Sequence, residues 1–377
     1  MVLTIALTAC LEGGCRTDPD WPLWESYARS AYDATGRIVD HSAGDKTTSE
    51  GQAYGMFFAL VANDRTRFDK LLSWTQDNLA GGDLTTRLPA WSWGKAPDGS
   101  WKTLDQNPAS DADLWMAYSL LEAGRLWHDP RYEALGKTMV GQIERQEVTL
   151  VPGLGTTLLP APQGFHPDAA TWILNPSYLQ PSILSYLATS FPRGPWGAVL
   201  GSMSPIIVGG GAEGFAMDWV SAGGGLNPVA APAEHADGDK SAHAAGSYDA
   251  IRVYLWLGIA DPATPGVKEA LAGLGGMASY VKQHPVPPRR VDENGAVAEA
   301  DGPVGFSAAV VPYLHAINMK SEEKSQMDRM AALKDPASGL YGREARYYDQ
   351  NLALFANGWL EQRLRFDREG KLKVKWR

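Results

Sequence analysis

Apolar residues recur with a 3.6-residue period over twelve stretches, and each predicts a helix. The stretches are 22–36, 50–62, 66–79, 111–127, 131–147, 178–190, 194–207, 248–260, 264–282, 305–317, 320–334 and 348–363. They fall into close pairs. Six helical hairpins predict an all-α fold, and a ring of inner helices backed by outer ones gives an (α/α)6 barrel. Strand-like alternation is confined to short hairpins, 91–93 against 101–104 and 364–366 against 372–374 around a turn at 367–370. Two long connections, 151–177 and 221–246, interrupt the helical pattern, and loops of that length usually carry function.

With 44% apolar residues in a chain of 377, a large core can be buried and disorder as the main state is excluded. Residues 21–377 read as a single catalytic domain behind an N-terminal segment, 1–20. The net charge of -9, with basic residues scattered among acids, excludes a nucleic-acid partner. No apolar run after the first ten residues approaches the roughly 20 that span a bilayer, so no transmembrane segment is expected in the mature chain. Residues 1–10, MVLTIALTAC, read like the tail of a secretory signal without its basic start, which points to a periplasmic or secreted protein. Leu7-Thr8-Ala9-Cys10 also resembles a lipoprotein cleavage box, which would anchor the chain at Cys10. Cys10 and Cys15 are the only cysteines, leaving the body without thiols for zinc or disulfides. Among the aromatics, 14 Trp and 14 Tyr suit a ligand that is flat and hydroxylated.

Some apparent motifs lack the context their chemistry needs. IIVGGGAEG, from Ile206 to Gly214, matches a dinucleotide fingerprint but leads into a Gly-rich loop, so a helix end and a turn are expected. Gly305-Phe306-Ser307-Ala308 is half of a nucleophile elbow with no strand before it, and Ser307 reads as a helix-start residue. His235, Asp237, Asp239 and His243 read as a solvated loop, and no metal or organic cofactor is expected.

The informative acids are Glu50, Asp111 and Asp249. Each follows a Ser or Thr closely and opens an apolar helix. Taken singly they read as caps, since Thr47-x-x-Glu50 and Ser110-x-x-Asp113 are capping boxes. Caps do not need to converge. In an α/α barrel the inner helices run parallel, so acids at three helix starts meet in one cleft. Trp91, Trp93, Trp101 and Trp172, with Tyr178, Tyr248, Tyr347 and Tyr348, would flank it as stacking faces for sugar rings. Glycosidic cleavage needs one protonated and one ionised carboxyl at neutral pH.

Residues 109–127, ASDADLWMAYSLLEAGRLW, resemble the signature of glycoside hydrolase family 8 position for position. Residues 48–64 (TSEGQAYGMFFALVAND), Asn175-Pro176-Ser177-Tyr178-Leu179, 247–256 (SYDAIRVYLW) and 302–309 (GPVGFSAA) look more narrowly like the branch encoded alongside bacterial cellulose synthase. The likeness implies an (α/α)6 barrel, an inverting endo-β-1,4-glucanase and a periplasmic address, with a β-1,4-glucan chain as substrate and the cellulose synthase and export machinery as a partner. It places Glu50 as general acid, Asp249 as general base and Asp111 as the carboxylate holding the sugar at the point of cleavage. Tyr54, Trp93, Asp113, Trp172, Tyr178, Tyr248, Arg252 and Tyr348 are the expected substrate contacts. Alternatives are a xylanase or chitosanase on the same fold, which a substrate panel separates, or a weakly active or inactive glucan-binding component of an export system. A pure binder would need the aromatics but not the three acids.

Overall fold

The computed structural model describes residues 21–232 and 243–377, so Cys10, Cys15, His235, Asp237 and Asp239 lie outside the described residues. The described chain forms α1 (Pro22–Ala31), α2 (Ser49–Val61), α3 (Arg65–Leu79), α4 (Ser110–Trp127), α5 (Pro130–Gln146), α6 (Pro181–Ser190) and α7 (Trp196–Gly209). It continues with α8 (Ala250–Ile259), α9 (Val267–Gly273), α10 (Gly275–Gln283), α11 (Val304–Ala316), α12 (Lys320–Ala332) and α13 (Tyr347–Leu360). None of these helices is long and apolar enough to cross a membrane.

The expected pairs are present. Helices α2, α4, α6, α8, α11 and α13 pack in succession, and α3, α5, α7, α9, α12 and α1 back them in the same order. Phe355 of α13 meets Tyr54, Phe57 and Phe58 of α2 with ring centroids 5.1, 5.5 and 4.7 Å apart, so α13 also packs against α2. Trp115 of α4 and Trp256 of α8 close on the same ring at 5.0 and 4.9 Å. Such aromatic pairs contribute about 0.5–1.5 kcal/mol each beyond their area burial. This cluster forms the floor beneath the starts of α2, α4 and α8.

Three helix boundaries differ from the periodic reading, each for a local reason. The stretch 22–36 stops at Ala31 because Tyr32 is extended and bridged to Ile38, while the Asp33 carboxylate accepts the Thr35 N–H at 2.9 Å in a turn. The stretch 178–190 starts late. Pro176–Tyr178 form a 3-10 turn capped by Asn175, and Pro181 opens α6, where its missing N–H costs nothing. The stretch 264–282 is two helices, broken at Leu274 between Gly273 and Gly275-Gly276, residues of low helix propensity.

The hairpin Leu364–Phe366 with Leu372–Val374 is as expected, and the other expected hairpin is Ser92–Lys95 with Trp101–Asp105, with Thr47–Thr48 added as a third strand. The two long connections are not plain loops. Val148–Val151 pairs with Gly155–Leu158, and Trp172–Leu174 pairs with Val220–Ala222, which also takes Asn227–Pro228. Ala245–Gly246 pairs with Arg290–Asp292, which pairs with Val297–Glu299. These short sheets feed the starts of α2 and α8.

The helix end and turn expected at Ile206–Gly214 are there: α7 closes at Gly209, and Ala212 bridges Phe215 across residues with positive φ. Ser307 is corrected. It lies inside α11, fully buried, donating to Gln326 at 2.7 Å and accepting from Arg329 at 2.7 Å, so it ties α11 to α12 instead of starting a helix.

Candidate active site

The capping boxes read from the sequence do not form. The cap of α2 is Thr48, whose hydroxyl accepts the Gly51 N–H at 3.1 Å, and Ser110 donates instead to the Leu159 carbonyl at 2.7 Å. Asp249 stands at the N-cap of α8 without capping it. The three acids are thereby free for other partners, while the macrodipoles of α2, α4 and α8 still point at them.

Their shared partner is Arg252, whose side chain is only 4% exposed. One terminal nitrogen, Nη1, bonds Oε2 of Glu50 and stands 3.3 Å from Oδ2 of Asp111. The other, Nη2, donates to Oδ1 of Asp249 at 2.5 Å and to the Ser177 hydroxyl at 2.9 Å. The side chains of Asp249 and Glu50 are 30% and 19% exposed, that of Asp111 only 8%. Two acids therefore open toward solvent on different terminal nitrogens of one guanidinium, and the third, sharing Nη1 with Glu50, is more deeply buried.

Burial pushes the Glu50 carboxyl up to about 7; Arg252 opposes this, the charges of Asp111 and Asp249 add to it, and the Tyr347 hydroxyl, 3.5 Å from Oε1, opposes it weakly. Burial also raises Asp111, against the pull of Arg252 and its bond to the Ala112 N–H. Tyr347 reaches Glu50 because residue 51 is glycine: a Cβ there would stand 2.6 Å from the tyrosine hydroxyl.

Of the remaining expected contacts, Tyr178 lies beside the cluster, with the Arg252 guanidinium 5.6 Å from its ring centre. Tyr248 is 40% exposed next to Asp249, and Tyr348 donates its hydroxyl to the Tyr248 carbonyl, with the two rings 5.7 Å apart. These make an aromatic wall at the mouth. Trp93 stacks on Trp101 at 5.2 Å under Arg37, on the strand paired with Thr47 just before α2. Trp172 is stacked on His166 at 4.4 Å, on the strand leading toward Tyr178. Among the described residues neither tryptophan makes a hydrogen bond or ring contact to the acids.

Two expectations are corrected. Tyr54, 1% exposed, belongs to the aromatic floor and offers no face to a ligand. Asp113 is fully buried and faces Glu147, also fully buried. Among the described residues no other donor reaches their oxygens, and burial pushes both carboxyls well above their ordinary range. Arg252, expected as a substrate contact, is 4% exposed and bonds all three acids.

Ser177 and Asp218 escape the sequence reading. Ser177 lies within the Asn175–Leu179 segment, but its bond to Arg252 spans 75 residues. Asp218 sits alone among Met217, Trp219 and Val220, with no periodic element to mark its side.

The model of the glycosyl hydrolases family 8 matches residues 2–362. An endoglucanase of Xanthomonas axonopodis pv. citri is 42% identical over 358 residues, covering 95% of this chain and 90% of that protein. An endoglucanase of Escherichia coli K12 is 40% identical over 363 residues, covering 94% and 91%. The crystal structure of an endo-1,4-D-glucanase from Vibrio fischeri ES114 superposes with a TM-score of 0.82 at 36% identity, covering 95% of this chain and 99% of that one.

Proposed function

The chain belongs to family 8 of the glycosyl hydrolases, and from that premise we propose that it is an endoglucanase that cleaves β-1,4-linked glucan with inversion, using Glu50 as acid and Asp249 as base. The observation that carries this reading is the single guanidinium of Arg252 with Glu50 on one terminal nitrogen and Asp249 on the other. Both carboxyls are thereby held at one guanidinium, and an inverting site needs room for a water between acid and base. The endoglucanase relatives from Xanthomonas and Escherichia support the substrate class.

In this mechanism protonated Glu50 gives its proton to the glycosidic oxygen as the bond to the anomeric carbon breaks. A water on the opposite face of the sugar ring forms the new bond, and Asp249 takes its proton. Glu50 is left ionised beside Arg252, which stabilises the new charge. Asp111, beside Glu50 on the same guanidinium nitrogen, accepts from a ring hydroxyl and favours a distorted sugar. Tyr248 and Tyr348 supply stacking surface at the mouth. Sequence likeness to the branch found with cellulose synthase supports a periplasmic role in cellulose synthesis and export.

The raised Glu50 carboxyl gives a pH test. An acid with a pKa of about 7 is protonated below that pH and loses its proton above it, so kcat/KM on carboxymethylcellulose should fall as pH rises through about 7. A profile that stays flat or climbs across that range contradicts Glu50 as the acid.

A further inference from the structure

Asp249 opens α8 but does not cap it; another residue does. Oδ1 of Asp218 accepts the Ser247 N–H at 2.8 Å and the Ala250 N–H at 2.7 Å, the backbone groups on either side of Tyr248 and Asp249. Its own N–H donates to the Ala245 carbonyl at 2.8 Å. Gly246 allows this approach, since a Cβ there would lie 2.2 Å from the Ala216 carbonyl oxygen. Asp218 is itself fixed by the strand Val220–Ala222 two residues on, which pairs on both edges. Three contacts thus lock the corner carrying Tyr248 and Asp249 to a sheet outside the helical ring.

We propose that Asp218 is a positioning residue for the reaction, holding the Ser247–Ala250 corner so that Asp249 meets both Arg252 and the attacking water. The inference rests on the reading of Asp249 as the base. The charged or titratable groups bearing on Asp218 include Asp249 at the N-cap of α8, Arg252 of α8 and Tyr348 of α13. Burial first, and then the charge on Asp249, push its carboxyl up to about 7. An amide, which keeps the Oδ1 acceptor, is therefore a close stand-in.

The test compares Asp218→Ala and Asp218→Asn with Asp249→Asn, measuring kcat and KM on a soluble cello-oligosaccharide and melting temperature. Asp218→Ala removes the acceptor, so kcat should fall about tenfold or more with KM within about threefold, the free-energy equivalent of one lost charge-assisted hydrogen bond. Asp218→Asn should recover kcat to within about threefold of the parent. Parental kcat in Asp218→Ala overturns the proposal, and so does an asparagine variant as impaired as the alanine one, which would mean the carboxyl is needed for more than its acceptor. Should the alanine protein not fold, Asp218→Ser, whose shorter side chain cannot reach both N–H groups, takes its place, and parental kcat there overturns the proposal. Activity surviving in Asp249→Asn removes the base assignment itself, an outcome separable from a failure of Asp218.

Discussion

Glu50→Gln is expected to lower turnover of carboxymethylcellulose by a factor on the order of 10³, the range that general acid catalysis supplies. The glutamine fills the same volume and can still accept from Arg252, and it removes a carboxyl that burial already disfavours in its ionised form, so the melting temperature should hold or rise. The loss should depend on the leaving group. An aryl cello-oligoside whose phenol departs without a proton needs no acid, and on that substrate the variant should recover most of its rate. Asp249→Asn should be inactive on both substrates, because water activation is needed whichever group leaves. Equal loss of Glu50→Gln on both substrates would remove Glu50 from the acid role.

Arg252→Met is expected to have the largest effect on stability. Arg252 is the cation touching Glu50, Asp111 and Asp249 together, and removing one partner from a buried ionic cluster costs about 3–5 kcal/mol. The sign of the pH dependence follows from the acids left behind. Burial already raises Glu50 and Asp111 above their unfolded values and the guanidinium holds them down, so its loss raises them further; the folded state then binds more protons, and stability is lost as pH climbs through that window. The melting-temperature deficit against the parent should therefore be greater at pH 7 than at about pH 5. An equal deficit at both would mean that lost packing, not stranded charge, is responsible. Arg252→Lys should rescue little, since one ammonium cannot present two separate terminal nitrogens to the acids.

The helices were legible because most carry an apolar stripe broken by clear stops, such as His128 in the left-handed conformation after α4 and Pro130 at the start of α5. The sheets were not, because strands of two to five residues, such as Trp172–Leu174 and Ala245–Gly246, are too short to establish a period of two. The hairpin of Val148–Val151 with Gly155–Leu158 did leave a signal, Pro152-Gly153 between two alternating runs.

At the site, Glu50, Asp111 and Asp249 could be read because an acid at a helix start has a defined location at the end of the inner ring. Tyr54 and Asp113 were misplaced for the opposite reason: α2 and α4 are buried on nearly all sides, so periodicity no longer says which face meets the cleft. The bond of Arg252 to Asp249, three residues away, follows from helix spacing, whereas its bonds to Glu50 and Asp111 cross 202 and 141 residues and depend on the ring itself. Asp218 acts through backbone groups 29 and 32 residues ahead, a relation that no local pattern encodes.

The most direct check of the paired roles of Glu50 and Asp249 is the configuration of newly formed reducing ends, followed by proton NMR before mutarotation. Water delivered by Asp249 to the face opposite Glu50 yields the α-anomer first. An initial β-anomer would require a covalent sugar on one of the carboxylates and would contradict the assignment.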